Sequence, residues 1–526
     1  MDLRRLMAVL ATTASGVALM ANVIVMPAAV AGERIDYDLD NDGLIEIESL
    51  QDLDDIRNNF TLLGQGDYAF KELKGNTLYG SSDGCPDAGC KGYELISDLN
   101  FDTNGNGQLD SEDEYWNDGK GWDPIGGFYI KLVAEFNGNG HILHNLMMRR
   151  PGEPHLGLFA YSELSYLHDF SITGDLITGA ESGGLMGYSW KTRFENIKAE
   201  LAISGMAASE GCQAKCEPSH IGGLVGIADE SEFNNILLKI NISGLDRLGG
   251  LAGQAMGDGS NKISEVAMQG AIRGDDFIGA LVGYLNDYNI ESAVVVAQLN
   301  GHQGIGGIVG DAGDLSIKNA LVSGSINADA GVMQHAYGGG VLGGAASITL
   351  NNVISLMRLP SLDDDSLYSM GAIVSSASSK NISNVFWARD LALRTNMFGR
   401  HSQPGFEQNF ELIDLQCADT IENCNGAKFT GFDQPLNSEG QTLWGFGNAQ
   451  EAPTMTLAAF KFGDLDGNGE MDEWPEIEAP ICGEPCNNEP LPATDDSDSS
   501  TGFGSLLYLL LLMPLFVFGR GAFRKE

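Results

Sequence analysis

Three acidic loops carry the residue types and spacing that could do chemistry in this 526-residue sequence. Asp or Asn recurs at every second position and Gly occupies the sixth, which is how a loop of about twelve residues wraps oxygen ligands around Ca²⁺. The sequence therefore predicts calcium as a cofactor. The predicted ligands are Asp102, Asn104, Asn106, Gln108, Asp110 and Asp113 in the second loop, Asp38, Asp40 and Asp42 in the first, and Asp464, Asp466, Asn468, Glu470 and Asp472 in the third.

The second loop matches the calcium pattern most fully. Gly107 takes the sharp turn and the Gln108 carbonyl falls at position 7, although Asp113 stands where a bidentate Glu is usual. Ser49 and Pro475 occupy that twelfth position in the other two loops. A polar Asx-turn loop would have the same sequence, so both interpretations stay open.

No catalytic motif accompanies these loops. A nucleophile elbow, a phosphate loop and HExxH are all absent from the sequence, and its eight His residues are scattered. Asp275 and Asp276 are the obvious pair for glycan hydrolysis, but adjacent residues of a strand point to opposite faces. We therefore expect no enzyme activity. A polysaccharide lyase or hydrolase is the alternative, because parallel β-helices carry such enzymes.

The charge of the chain excludes classes of partner. Acidic residues outnumber basic ones 72 to 30, which gives a net charge of -42. Nucleic acid and anionic membrane surfaces would be repelled, whereas cations would be attracted.

A repeated heptapeptide, Gly-Gly-apolar-apolar-Gly, organises the middle of the chain. Its copies begin at Leu156, Gly183, Gly222, Gly249, Gly279, Gly306, Gly339 and Gly371, most often 27 residues apart. Seven copies are followed, thirteen residues after their start, by Asp169, Asn196, Asn235, Ser292, Asn319, Asn352 or Asn384, and the copy at Gly249 reaches Glu265 after three more residues. We expect this column to stack as a ladder whose side chains satisfy backbone groups of the turns.

A constant phase with one corner of variable length is typical of a coil. The sequence predicts an all-β fold, a right-handed parallel β-helix (solenoid) of about eight rungs, with a small N-terminal capping module and a C-terminal cap. A short helix over residues 50–60 is expected in the N-terminal module, with Leu50, Leu53 and Ile56 on one face.

These copies resemble the GLUG repeats of bacterial surface and adhesin-like proteins over about residues 125–390. Segments 42–47, 50–53, 92–95 and 136–141 look like those that precede such repeats. The resemblance implies a surface location and an adhesion or binding role. An extracellular glycan or matrix protein is then the expected partner, and a passive surface spacer is the alternative.

Both ends of the chain carry expected targeting segments. Residues 1–31 join Arg4 and Arg5 to an apolar run and a small-residue cleavage site, as in a signal peptide. Residues 506–526 form a hydrophobic and basic segment that resembles Gly-Gly type C-terminal sorting signals of Gram-negative bacteria. A sortase signal ranks second, because Asp495 stands where Gly is required. We expect the export and sorting machinery as partners, membrane contact only through this segment, and a location in the cell envelope or at the cell surface, with release possible after processing.

The eight cysteines fall into four local pairs: 85/90, 212/216, 417/424 and 482/486. This predicts short disulfide staples formed in an oxidising compartment, with zinc as the alternative. The predicted organisation is a signal peptide (1–31), an N-terminal module with calcium-type loops (32–124), the β-helix (125–390), a C-terminal cap with disulfides and the third loop (391–490), an acidic spacer (491–505) and the terminal segment (506–526).

Overall fold

The chain folds into a parallel β-solenoid of about eight turns, which confirms the predicted fold class. The computed structural model describes residues 35–63, 70–73, 77–108, 110–207, 217–328, 336–361, 368–399, 409–417, 420–421, 424–432, 443–446 and 453–455. Its N-terminal elements are β1 (Leu44–Ile47), α1 (Leu50–Asp55), a 3₁₀ turn (Ile56–Asn58), β2 (Phe60–Leu63), β3 (Phe70–Leu73), β4 (Gly92–Leu95), β5 (Leu99–Asn100), a second 3₁₀ turn (Asn117–Gly119), β6 (Ile130–Leu132), β7 (Glu135–Asn137) and β8 (Ile142–Arg149).

The repeat region supplies the strands of the regular coils. They are β9 (Phe159–Glu163), β10 (Tyr166–Thr178), β11 (Met186–Trp190), β12 (Arg193–Gly205), β13 (Ile221–Gly222), β14 (Val225–Asp229), β15 (Glu232–Ser243), β16 (Asp246–Gly249), β17 (Ala252–Met256), β18 (Lys262–Arg273), β19 (Asp276–Gly279), β20 (Val282–Asn286), β21 (Tyr288–Gly301), β22 (Gln303–Gly306), β23 (Val309–Ala328), β24 (Ala336–Gly339), β25 (Leu342–Arg358), β26 (Tyr368–Gly371) and β27 (Ala377–Ala388). The C-terminal elements are α2 (Arg389–Ala392), β28 (Asn409–Phe410), α3 (Leu412–Leu415), β29 (Trp444–Gly445) and β30 (Thr454–Met455).

The glycine repeat forms one corner of each coil. A short strand leads into the Gly-Gly pair, a second follows it, and a long strand completes the turn, as β16, β17 and β18 do. The third glycine of the repeat is required because backbone of the preceding coil lies against it. A Cβ on Gly283 would lie 2.5 Å from the carbonyl carbon of Arg247, closer than real Cβ atoms approach.

The polar column forms the expected ladder, with a different set of bonds. Asn196 Nδ2 donates to Asp169 Oδ1 at 2.6 Å, and Asn235 Nδ2 donates to Asn196 Oδ1 at 2.7 Å. The same link joins Asn352 to Asn319 and Asn384 to Asn352, both at 3.0 Å. These bonds run between side chains of successive coils, whereas turn backbone groups were the expected partners. Asn384 Nδ2 also donates to a backbone carbonyl, that of Thr430, at 2.9 Å. All eight members have a positive φ, between 52° and 62°, a conformation that Asn and Asp tolerate better than most residues.

The interior of the solenoid is a continuous apolar core. Leu, Ile, Val and Phe fill it in stacked rows; Phe194 and Phe233, for example, stack with ring centroids 4.9 Å apart. A second apolar cluster lies outside the coil, on the long strands after the ladder. Its solenoid members are Leu237, Ala267, Val294, Leu321, Ile354, Leu356 and Phe386, and its C-terminal members include Leu412, Leu415, Phe429, Phe432 and Trp444. The described part of the C-terminal region therefore packs along the side of the coil.

The parallel ladder extends to both sides of residue 125, where the β-helix was predicted to begin. β1 pairs in parallel with β4, β4 with β7, and β7 with β10. The N-terminal loops are thus attached directly to the first coils.

The short helix is present, but it ends before residue 60. Ser49 caps α1 by accepting a hydrogen bond from the Asp52 N–H, and the 3₁₀ turn ends at Asn58. Leu50, Leu53 and Ile56 are buried on one face, as expected.

Two of the four predicted disulfides lie in the described part of the chain and are formed. They join Cys85 to Cys90 and Cys417 to Cys424. The pairs 212/216 and 482/486 lie outside the described residues. No helix in the described ranges is long and apolar enough to cross a membrane, and both targeting segments, 1–31 and 506–526, fall outside those ranges.

Candidate functional site

The first and second acidic loops share one local fold. The N–H of the sixth residue donates to the carboxylate of the first, Gly43 to Asp38 Oδ2 at 3.0 Å and Gly107 to Asp102 Oδ2 at 2.9 Å. The N–H of the seventh residue likewise donates to the side-chain oxygen of the fifth, at 2.7 Å in both. The periodic Asp and Asn residues therefore give both segments the same local fold. The two loops differ in the residues that surround them.

In the second loop, hydrogen bonds hold the predicted ligands together. Asp113 is buried, and its Oδ1 accepts from the Asn104 N–H at 3.2 Å while its Oδ2 accepts from the Asp110 N–H at 2.8 Å. The side-chain amides of Asn104 and Asn106 donate to the two oxygens of Asp110, at 3.3 and 3.0 Å. Gln108 is exposed on the loop surface. The carboxylates are thus satisfied by the loop itself, and calcium binding here stays a prediction.

The first loop differs because a buried carboxylate oxygen has no hydrogen-bond partner. Asp38 is fully buried, and no donor among the described residues reaches its Oδ1. One ligand oxygen each of Asp38, Asp40 and Asp42 lies within 4.8 Å of the others. The same holds for Asp40, Glu46 and Glu94. Asp40 belongs to both groups, so five carboxylates converge on the end of β1.

Two glutamates complete this cluster: Glu46, which follows the first loop in the sequence, and Glu94, which sequence analysis missed. They are register partners in the parallel pair β1–β4, and both are buried. Burial, and then the charges of the other four carboxylates, raise the pKa of Glu94 to about 7. The available signal was a Glu set between apolar strand residues in both segments, in LIEI at residues 44–47 and in GYEL at residues 92–95.

The third loop lies outside the described residues. It comprises Asp464, Asp466, Asn468, Glu470 and Asp472. Within the described ranges, the two groups around Asp40 are the clusters of three or more acidic, His or Cys ligand atoms at metal-binding distances.

A second candidate site is a strip of aromatic and polar side chains along the glycine corner. It consists of two columns, one on each side of the repeat, with one member from each coil. The leading column is His155, Glu181, His220, Arg247, Phe277, Gly304 and Tyr337, and the following column is Tyr161, Tyr188, Ile227, Gln254, Tyr284, Asp311 and Gly344. We call these residues, with Phe128 and Tyr129 at one end, the aromatic edge.

Rings contact one another at the N-terminal end of this edge. Phe128 and Tyr129 are 57% and 41% exposed, and Phe128 meets Tyr161 edge-on with centroids 5.7 Å apart. Tyr161 in turn lies 5.4 Å from Tyr188 in the next coil and 4.8 Å from His155. Tyr161 itself is buried, so the solvent-accessible rings of this group are Phe128, Tyr129 and the half-buried Tyr188.

A second aromatic group lies three coils beyond Tyr188 along the edge. Phe277 and Tyr284 meet at 6.4 Å between centroids, and the Arg247 guanidinium lies over both rings, at 5.4 and 5.9 Å. His220 Nε2 lies 3.2 Å from Arg247 Nη1. In the following column, Ile227 and Gln254 therefore separate the two groups of rings. The signal in the sequence was the residue after the third glycine of each copy, which is Tyr in GGLMGYS and GALVGYL.

Acidic groups border the edge near its centre. Asp246 and Asp276 are register partners in β16 and β19, and Asp275 lies 3.2 Å from His302 Nδ1. Burial is the main cause that raises the pKa of both Asp246 and Asp276, followed by repulsion between the two for Asp276. Asp275 and Asp276, the pair suggested by the sequence, therefore have different surroundings: Asp275 contacts His302, and Asp276 faces the Asp246 carboxylate of the preceding coil.

No family model, curated protein or solved structure matches this chain. The resemblance to GLUG-repeat proteins therefore depends on the repeat itself.

Proposed function

We propose that this protein is an exported surface protein that binds a neutral, linear polysaccharide along its aromatic edge. The observation that carries the proposal is the edge itself. The exposed ring of Phe128 and the half-buried ring of Tyr188 both contact the buried ring of Tyr161, and the rings of Phe277 and Tyr284 lie further along the same line.

The geometry of a solenoid edge suits a linear polymer. Successive coils are spaced by about 4.8 Å, the distance between paired strands, which is comparable to the length of one hexose unit. Aromatic faces pack against the apolar face of a pyranose ring, and Tyr combines that face with a hydroxyl. Between the two groups of rings, the half-buried amide of Gln254 offers hydrogen bonds to sugar hydroxyls.

Charge favours a neutral glycan over an acidic one. The chain carries a net charge of -42, so a polyanion would be repelled at long range. The Arg247 guanidinium is engaged with two rings and with His220, and His155 pairs with Glu181 at 2.9 Å. The basic side chains of Arg247 and His155 therefore already contact rings or polar neighbours, and an acidic polymer would have to compete with these contacts.

Export is supported by the disulfides and by both ends of the sequence. Cys85–Cys90 and Cys417–Cys424 are short staples of the kind formed in oxidising compartments. Residues 1–31 carry the features of a signal peptide, and residues 506–526 those of a sorting or anchoring segment.

The proposal is tested by affinity electrophoresis of the full chain through gels containing β-1,4-glucan, chitin oligomers, mannan or, as the acidic comparison, polygalacturonate. Retardation by a neutral polymer is expected. The double substitution Phe128→Ala/Tyr188→Ala should weaken it at least about tenfold, or 1.4 kcal/mol. Ile413→Ala is the matched control, because Ile413 is 58% exposed and lies away from the edge. Equal retardation of both variants, or of polygalacturonate alone, would contradict the proposal, and no retardation at all would favour a passive spacer.

A glycan-active enzyme is the second candidate, and the acidic groups beside the edge favour it. Asp246 and Asp276 have raised pKa values, a property that a general acid requires. The test is release of reducing ends, or of unsaturated sugars, from the polymer that is retarded. Product formation by the wild type that Asp276→Asn abolishes, with binding retained, would make the protein an enzyme.

A further inference from the structure

We propose that Asp38, Asp40 and Asp42 of the first loop, together with Glu46 of β1 and Glu94 of β4, form a calcium site that fastens the N-terminal loop to the first two coils. The site is independent of polysaccharide binding, since it lies in the N-terminal region and shares no residue with the aromatic edge. It also differs from the site expected for a loop acting alone, because Glu94 comes from another strand.

The convergence of the five carboxylates carries the proposal. Ligand oxygens of Asp38, Asp40 and Asp42 lie within 4.8 Å of one another, and Asp40 stands in the same relation to Glu46 and Glu94. In the spacing of a calcium loop these residues hold positions 1, 3, 5 and 9, while position 12 is Ser49, which caps α1 instead. Glu94 supplies, from the neighbouring strand, the carboxylate that the loop lacks at its last position.

The second, independent observation is the buried oxygen of Asp38. Its carboxylate is fully buried, its Oδ2 accepts from Gly43, and no donor among the described residues reaches its Oδ1. A buried carboxylate oxygen without a partner is costly, whereas a bound cation satisfies it. The side chain of Lys91 lies beside Gly43, but it is paired with Glu135 at 3.1 Å.

The ligand chemistry selects a hard divalent cation. The cluster offers carboxylate oxygens, without His or a free thiol, since Cys90 is held in a disulfide with Cys85. Ca²⁺ accepts six to eight oxygens in irregular geometry, which suits ligands drawn from a loop and two strands better than the strict octahedron of Mg²⁺ does. Because β1 and β4 are the first paired strands of the solenoid, bound calcium would hold the end of the coil closed.

The experiment is hydrogen exchange of the full chain in EDTA and in millimolar CaCl₂, followed by mass spectrometry and paired with calorimetric titration of CaCl₂. Calcium should slow exchange in residues 37–47 and 92–95 by at least about tenfold. This is the protection expected when the free calcium concentration is about nine times the dissociation constant. Glu94→Gln should abolish this local protection and weaken the binding of the first site. Glu48→Gln is the matched control, since Glu48 follows the same strand, is exposed and stands outside both groups.

The two conditions also separate a lost ligand from a misfolded chain. In EDTA, Glu94→Gln removes a buried charge from a repulsive cluster, so these segments should exchange no faster than in the wild type. In calcium, they should exchange faster than in the wild type. Calcium protection that survives Glu94→Gln would overturn the five-carboxylate site, and the absence of any calcium effect on residues 37–47 would overturn calcium binding there. Protection confined to residues 102–113 would assign calcium to the second loop instead.

Discussion

Replacing Asn352 tests how much the asparagine ladder contributes to the solenoid. Asn352 is 9% exposed and has a φ of 55°. It donates to Asn319 Oδ1 and accepts from Asn384 Nδ2, both at 3.0 Å. Alanine removes two hydrogen bonds worth about 1 kcal/mol each. Alanine also lacks the polar side chain that lets Asn adopt a positive φ, and holding it in this left-handed conformation costs about 1 kcal/mol more. Asn352→Ala should therefore destabilise the surrounding coils by about 3 kcal/mol.

Asn352→Gly separates the two contributions. Glycine loses the same hydrogen bonds but adopts a positive φ without strain, so its cost should be smaller, at about 2 kcal/mol. Asn351→Ala is the control. The neighbouring Asn351 donates a single exposed hydrogen bond to Ser383 Oγ at 2.7 Å, and its φ is not positive. Its cost should be about 0.5 kcal/mol.

Local hydrogen exchange is the appropriate assay, since repeat proteins need not unfold in one step. The opening free energies of β23, β25 and β27 report on the three coils that the ladder joins here. A difference of about 3 kcal/mol corresponds to exchange faster by roughly two orders of magnitude. The reasoning is refuted if Asn352→Ala costs no more than Asn351→Ala. If Asn352→Gly destabilises the coils as much as Asn352→Ala does, only the predicted contribution of the backbone conformation is refuted.

Three further predictions concern packing, cross-linking and charge. Gly283→Ala should lower the thermal midpoint clearly, because its Cβ would lie 2.5 Å from Arg247 backbone, whereas Gly127→Ala, with no heavy atom within 4 Å, should change it little. Cys85→Ser with Cys90→Ser should destabilise residues 77–96 by about 2 kcal/mol in hydrogen exchange, as removal of a short loop closure predicts; unchanged exchange would count against a stapling role. Burial raises the pKa of Asp311, so its ionised form opposes folding at neutral pH. Asp311→Asn should then raise the thermal midpoint at pH 7, and this advantage should vanish below the unfolded-state pKa of about 3.9; an advantage that grows in acid would contradict the sign.

The coil could be predicted from sequence because every repeat encodes the same corner. Each copy repeats the glycine pattern. In seven copies a polar residue follows thirteen positions after the start, although the insertions between copies vary in length. Spacing of this kind is local information. It therefore predicted the stacking of Asn196 on Asp169, which the structure confirms.

The candidate sites could be predicted only in part, because their residues come from different coils. The spacing of Asp38, Asp40 and Asp42 marks a loop, but nothing in it indicates that Glu94 is a register partner of Glu46. The second loop matches the calcium pattern better, yet its Asp113 is satisfied by backbone N–H groups. The aromatic edge was missed for a similar reason: Tyr161, Tyr188 and Tyr284 are single residues in their copies and become a line only when the coils stack.

Footprinting of the full chain with a bound polysaccharide tests the central claim most directly. Hydroxyl-radical oxidation of side chains is measured with and without the neutral polymer that retards the protein. Binding along the aromatic edge predicts protection of Phe128, Tyr129, Tyr188, Phe277 and Tyr284, with oxidation of Ile413 unchanged. Protection of Ile413 or of other residues away from the edge, with these aromatic side chains oxidised as in the free protein, would contradict it.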